Sequence, residues 1–292
     1  MSKTNQSKKY ADPTTENKKI ESGKAENNRT DKNKTESNGY FGTVCEIQRN
    51  SYNILVENKT IHAKLKGNFF RENEGLPVVG DNVVFLPNEN GDSMISSVCE
   101  RKSVLKRPYA ADHSMDNGKE QVMVANVDYV FIVSSLNDNY NFNRIARYVS
   151  MTLQGNAIPV VILTKADLCS NPGRYAGEIE KLSEQVKVHC VSALYGIGMD
   201  ELNKYLQLGK TIAILGSSGV GKSTLVNELV QEDVMKTSEI RESDAKGRHT
   251  TTHRQMIVLL NGARIIDTPG MRELGMGDMD QGCDCEWIIS TG

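Results

Sequence analysis

The sequence predicts an α/β protein in which a polar tail and a small β-barrel precede a mostly parallel sheet covered by helices. Three observations carry this reading. Residues 1–38 are nearly free of apolar side chains, short alternating apolar runs follow to about residue 100, and strand and helix patterns alternate from about residue 120 onward. A chain of 292 residues also exceeds what one ordinary domain needs.

The tail, residues 1–38, is rich in Lys, Asn, Glu, Thr and Ser. Such a segment cannot bury enough surface to offset its ordering entropy, so it reads as disordered. From Gly39 the texture changes. Gly42-Thr-Val-Cys-Glu-Ile, Tyr52-Asn-Ile-Leu-Val, Thr60-Ile-His-Ala-Lys-Leu, Asp81-Asn-Val-Val-Phe-Leu and Ser93-Met-Ile-Ser-Ser-Val alternate apolar and polar residues. Turn signals at Glu57-Asn58, Gly80-Asp81 and Asn90-Gly91-Asp92 separate them. A barrel over residues 39–107 is expected, of OB or SH3-like type; periodicity alone does not distinguish them.

Residues 120–282 read as the α/β domain. Strands are expected at Val127–Val133, Ile158–Leu163, Val186–Val191, Thr211–Leu215, Met256–Leu260 and Ala263–Ile266. Helices are expected at Asn143–Leu153, Tyr175–Gln185, Met199–Leu206 and from about Lys222 to Val230. Alternation of this kind implies a parallel sheet with helical cover.

Gly216-Ser217-Ser218-Gly219-Val220-Gly221-Lys222-Ser223-Thr224 matches the phosphate-loop pattern GxxxxGK[ST] between an apolar strand and a helix. The glycines let backbone N–H groups curl around phosphate, and the helix N-terminus adds favourable electrostatics. Lys222 would neutralise the β- and γ-phosphates, and the Ser223 hydroxyl would bind Mg²⁺. Asp267-Thr-Pro-Gly270 ends another strand, 45 residues after Lys222. There the carboxylate would hold Mg²⁺ through water, and the Gly270 amide would sense the γ-phosphate. Between them, Gly247-Arg-His249-Thr250-Thr251-Thr252 suits a mobile loop closing over γ-phosphate and Mg²⁺. Thr251 is the first candidate ligand and Thr250 the second.

Thr164-Lys165-Ala166-Asp167 ends the strand before residue 165. Guanine offers an N1–H and an exocyclic amine on one edge, and the Asp167 carboxylate can accept from both. Adenine has no such pair, which disfavours an ATPase. The Lys165 stem would cover the ring, and Ser192-Ala193 after the next strand would contact guanine O6. Thr164 stands where many GTPases carry Asn. The base motifs lie at residues 164–194 and the phosphate motifs at 216–270, the reverse of the usual order. Such a chain forms the same sheet if old termini are joined and new ones opened elsewhere.

With these motifs, with Gln121-Val-Met-Val-Ala-Asn-Val-Asp and with Asp267-Thr-Pro-Gly-Met-Arg-Glu-Leu-Gly, the chain resembles the circularly permuted, ribosome small subunit-dependent GTPases of RsgA type. The resemblance spans roughly residues 39–282. It implies a circularly permuted P-loop GTPase domain behind an OB-type barrel, cytoplasmic GTP hydrolysis stimulated by the small ribosomal subunit, and a role in late subunit maturation. The family continues into a helical zinc domain. Here residues 283–292 read as a truncated remnant whose Cys283 and Cys285 match no family ligand motif, so zinc is not expected.

Met271 follows Gly270, where Ras-like enzymes carry a water-orienting Gln, so slow intrinsic turnover is expected. His249 is a candidate to position water, or else a surface loop histidine. Other expectations are bland. Cys45, Cys99, Cys169 and Cys190 read as small buried hydrophobes. No secretory signal or membrane span is expected, and a monomer is. A net charge of −2 gives no reason in itself to expect nucleic-acid binding. Arg101, Lys102, Lys106 and Arg107 at the barrel exit read either as phosphate contacts for rRNA or as a solvated linker. The alternative to a GTPase of ribosome assembly is a nucleotide-gated RNA-binding module with vestigial hydrolysis.

Overall fold

The computed structural model describes residues 39–49, 51–57, 59–69, 75–88, 90–108, 120–230 and 255–268. The expected tail (1–38), His249, Thr250, Thr251, Gly270, Met271, Cys283 and Cys285 lie outside these residues.

Five strands build the barrel: β1 (Tyr40–Ile47), β2 (Tyr52–Val56), β3 (Lys59–Leu65), β4 (Asn82–Leu86) and β5 (Ser93–Val98). They pair in the ring β1-β2-β3-β5-β4, and β4 returns to β1 with Phe41 opposite Val84. This closed Greek-key ring is of OB type. Alternation fills it. Val83 and Phe85 of β4 point inward between outward Asn82, Val84 and Leu86, and they meet Val44, Ile54, Ala63 and Ile95.

The second part is a sheet of β8 (Tyr129–Ser135), β9 (Ile158–Thr164), β10 (Lys187–Cys190), β11 (Thr211–Leu215), β12 (Gln255–Val258) and β13 (Arg264–Asp267). Its order is β10-β9-β8-β11-β13-β12, parallel except for β12. The central strands are largely apolar because both faces are covered. Helix α1 (Phe142–Gln154) buries Ile145, Tyr148 and Val149 on one face. On the other face α3 (Lys222–Val230) buries Leu225 and Val226. Among the described residues no helix is long and apolar enough to cross a membrane.

Several boundaries differ from the sequence expectation, each for a local reason. The helix expected at Tyr175–Gln185 is α2, Pro172–Glu180. It starts early because Asn171 accepts from the Arg174 amide and Pro172 suits the first turn. It stops early in a turn where the Val186 amide reaches the Ser183 carbonyl. The segment Met199–Leu206 is a shorter 3-10 turn, Asp200–Lys204. The strand expected from Val127 begins at Tyr129, because the Asp128 carboxylate accepts from the Thr211 amide and pairs with Lys210 instead.

The sequence reading assigned no strands between the barrel and β8, yet β6 (Val104–Pro108) and β7 (Glu120–Ala125) form an antiparallel ribbon there. It fastens the barrel to the sheet. The Ala125 amide donates to the Val79 carbonyl and the Asn126 side chain to the Gly80 carbonyl. A Cβ on Gly80, at φ +94°, would stand 2.0 Å from the Ala125 oxygen, so only glycine permits this approach. Asp81, fully buried, anchors the same loop. It accepts from the Val78 amide at 2.7 Å and from Arg101 Nε and Nη2, each at 2.7 Å. Arg101 therefore works inside the junction rather than as a free phosphate contact. Lys106 pairs with Glu120 and Arg107 bonds Gln121 across the ribbon. The barrel also joins the sheet through β1 and β12, with Glu46 opposite Gln255.

Arg101→Met leaves the buried Asp81 carboxylate without its charged partner, and we expect it to lower the unfolding free energy by about 2 kcal/mol in urea titrations. Lys106→Met breaks a pair that is half exposed, and we expect a change within about 0.5 kcal/mol.

Candidate functional site

Because β8, β9, β10, β11 and β13 run parallel, their carboxyl ends share one edge, where open α/β sheets bind ligands. The loop Gly216–Gly221 leaves β11 at this edge. Gly216 passes so close to β8 that a Cβ would lie 2.4 Å from the Val133 oxygen. Gly219 and Gly221 take φ of +77° and +90°, turning the loop back into α3. Val220 is buried under the sheet and anchors the loop from below. Lys222 folds into the curve, its Nζ donating to the Gly216 and Ser217 carbonyls at 2.6 and 2.5 Å. Ser223 and Thr224 follow in the exposed first turn of α3. The loop thus gathers an ammonium group and a helix N-terminus, an arrangement suited to a polyphosphate.

The residues expected from the sequence to select a base sit beside it. Thr164 ends β9, is buried, and donates from Oγ1 to the Val220 carbonyl at 2.6 Å. A second carbonyl, Ser134, lies at 3.3 Å, but a hydroxyl has one proton and the short contact claims it. The side chain that replaces the usual Asn therefore ties the base strand to the phosphate loop. Lys165 adopts φ +57° and lays its side chain along the loop, Nζ donating to the Gly219 carbonyl at 3.2 Å. Asp167 is exposed in a 3-10 turn, Ala166–Leu168, held by the Ala166 amide bonding the Val191 carbonyl.

Ser192 and Ala193 follow β10 at the same edge. Ser192 is buried and its Oγ has no hydrogen-bond partner among the described residues. Strand β10 is itself braced. His189 lies between Glu201 (Nδ1 to Oε2, 2.7 Å) and the Tyr205 hydroxyl (Nε2, 2.9 Å). Burial, with the nearby Tyr129 and Glu201, pushes the Tyr205 phenol up to about 12, so it remains a neutral partner.

Asp267 ends β13 opposite Ile214, and its neighbour Thr268 donates to the Ile214 carbonyl at 2.6 Å. Ser223 and Asp267 thus belong to adjoining elements at one edge. A hydroxyl and a carboxylate are hard oxygen donors and fit Mg²⁺, which keeps several of its waters. Among the described residues no group of three or more His, Cys, Asp and Glu side chains could hold a metal.

Sequence reasoning missed two side chains here. Arg144, in the first turn of α1, directs Nη1 to the Ser217 hydroxyl at 3.2 Å. Asn139 holds its amide nitrogen 3.9 Å from where a Gly219 Cβ would be. Their signal was the run Asn137-Asp-Asn-Tyr-Asn141, a polar cluster at the carboxyl end of a buried parallel strand.

Comparison with known proteins finds relatives in sequence and in fold. A family model described as the RsgA GTPase matches residues 98–277, and one described as the RsgA N-terminal domain matches residues 42–95. A protein of Listeria monocytogenes named small ribosomal subunit biogenesis GTPase RsgA 1 is 44% identical over 239 residues, 81% of this chain and 66% of that relative. A Methanosarcina acetivorans protein named small ribosomal subunit biogenesis GTPase RsgA is 42% identical over 243 residues, 83% of this chain and 63% of the relative. The chain thus spans slightly less than two thirds of the length of these relatives. Among solved structures, YjeQ from Thermotoga maritima superposes with a TM-score of 0.61 at 28% identity, covering 82% of this chain and 78% of that one. YloQ, described as a circularly permuted GTPase, shares the fold with a TM-score of 0.56 at 22% identity, covering 82% of this chain and 75% of its own.

Thr164→Val keeps the branched shape and deletes the donor, leaving the Val220 carbonyl short of its partner. We expect a loss of about 1–2 kcal/mol in urea unfolding, and no loss or a gain of stability for Ser192→Ala, whose hydroxyl bonds nothing among the described residues.

Proposed function

Because the chain belongs to the RsgA GTPase family, we propose that it binds GTP, hydrolyses it to GDP and phosphate, and acts in late maturation of the small ribosomal subunit. The single observation that carries the reading is the 2.6 Å bond from Thr164 to Val220, which unites a base-selecting strand end with a phosphate loop. The names of the relatives support the ribosomal role. The reading has the protein work as a cytoplasmic monomer, with its barrel contacting rRNA.

The placement of the described residues supports the following roles, and the sequence motifs supply those of Thr251, Gly270 and His249. Gly216, Ser217, Ser218, Gly219, Val220 and Gly221 wrap the phosphates, while Ser223 and Thr224 close the cradle. Lys222 exchanges its two carbonyl bonds for the β- and γ-phosphate oxygens. Asp167 accepts from guanine N1–H and the exocyclic amine, Lys165 lies along the ring, and Ser192 with Ala193 faces O6. Ser223, Asp267 and Thr251 would hold Mg²⁺, which when bound neutralises developing charge on the phosphates. The Gly270 amide would read the γ-phosphate. Water attacks the γ-phosphorus, the bond to the β–γ bridging oxygen breaks, and the proton from water ends on the released phosphate. His249 would orient that water, since Met271 offers no strong hydrogen bond.

Three measurements test this. Lys222→Ala should cut GTP turnover at least about 100-fold with the fold retained, because it removes preorganised charge at the phosphates; near-normal turnover would remove the central claim. Asp167→Asn should lose the preference for GTP over xanthosine triphosphate. An unchanged preference would show that the base assignment is wrong. Small subunits should co-sediment with the protein more strongly with a non-hydrolysable GTP analogue than with GDP, and less as salt rises. Equal binding in the two nucleotide states would uncouple the switch from the ribosome. Turnover that stays negligible with subunits present would favour a nucleotide-gated binding module.

A further inference from the structure

Three segments hold the phosphate loop, and two are already accounted for. The end of β9 bonds the Val220 and Gly219 carbonyls through Thr164 and Lys165. Helix α3 bonds the Gly216 and Ser217 carbonyls through Lys222. The third runs from the end of β8 into α1, and neither the nucleotide motifs nor the chemistry above uses it.

This segment is built to a definite shape. Asn137 Oδ1 accepts from the Ser135 hydroxyl at 2.6 Å and the Asn139 amide at 3.2 Å, which sets the turn out of β8. Asn141 caps α1 by accepting from the Arg144 amide at 2.8 Å. Arg144 is thereby fixed at its backbone and half-buried, and its Nη1 donates to Ser217 Oγ at 3.2 Å. It forms no ion pair among the described residues. A guanidinium so placed beside this loop brings a charge that no carboxylate among the described residues pairs with.

We propose that Arg144 is a positioning residue of the nucleotide site: it pins Ser217, and with it the first limb of the phosphate loop, and sets a positive charge beside the bound phosphates. The proposal rests on the GTP-binding reading. Both GDP and GTP use the loop's shape, so Arg144 acts on the binding of both. Uniform binding of this kind appears in KM rather than in kcat.

The test uses the full chain with fluorescent GDP and a fluorescent GTP analogue. Arg144→Ala weakens both by about tenfold, the scale of one charge-assisted hydrogen bond. Ser217→Ala weakens both by less, because the charge remains. In the Arg144→Ala background, Ser217→Ala adds nothing, as expected if one acts through the other. Arg144→Lys, which keeps the charge but not the fork, recovers part of the loss. KM for GTP rises with Kd while kcat stays within about twofold. Urea midpoints of the variants match the wild type, which separates positioning from a folding defect. An Arg144→Ala variant that binds as the wild type does would overturn the proposal, as would fully additive losses in the double variant. In either case the GTP-binding reading stands, provided the wild type binds. A wild type that binds neither nucleotide would sink both.

Discussion

The site depends on one constraint, the common direction of five strands. A parallel ladder fixes where each strand ends, and β8, β9, β10, β11 and β13 therefore deliver their following residues to one edge. Chain order does not enter this geometry. Thr164 comes 56 residues before Val220 in the sequence, yet the two meet at 2.6 Å because β9 and β11 flank β8. Permutation costs the site nothing as long as the ladder forms.

That link is unusually polar for a connection between two cores. Around Gly80 and Ala125 the chains approach at backbone distance, so no side chain can pack between them and hydrogen bonds must carry the contact. Asp81 and Arg101, Asn126 with Gly80 and Lys102, Asn156 with Lys102, and Ser103 with Val127 supply them. Asp81 and Ser103 are the buried members, and a satisfied polar network fixes geometry more narrowly than apolar packing does. With β1 paired to β12, barrel and sheet join along a continuous ladder as well as through the ribbon of β6 and β7.

Legibility in the sequence followed the range of the interactions. Apolar runs located every strand of the parallel sheet to within a few residues, and alternation located the five barrel strands. The tight turn from β11 into α3 was legible because Gly216, Gly219 and Gly221 mark positions that need glycine's conformational freedom. The ribbon of β6 and β7 was not, since its strands are split by residues 109–119 and one of them carries Lys106-Arg107-Pro108, which reads as a polar linker. Arg101 was misread for a similar reason. Its partner Asp81 is 20 residues away, and nothing in the local pattern reveals a buried carboxylate. Arg144 escaped notice because it meets Ser217 across 73 positions, a contact that only the sheet order creates.

The two hydroxyls at neighbouring strand ends complete the argument. Thr164 and Ser192 are both buried, at the ends of the neighbouring strands β9 and β10. The Thr164 proton is committed to the Val220 carbonyl, so this residue is scaffold: it holds the loop and has no second proton to offer a ligand. Ser192 Oγ has no partner among the described residues, a condition that costs about 1–3 kcal/mol for a buried hydroxyl. Native proteins keep few such groups, and those they keep call for a reason beyond packing. Alanine would remove the penalty at that position. Ser192 stands one strand from Lys165, whose side chain lies along the loop after β11, and its hydroxyl is the one of the two with bonding capacity left.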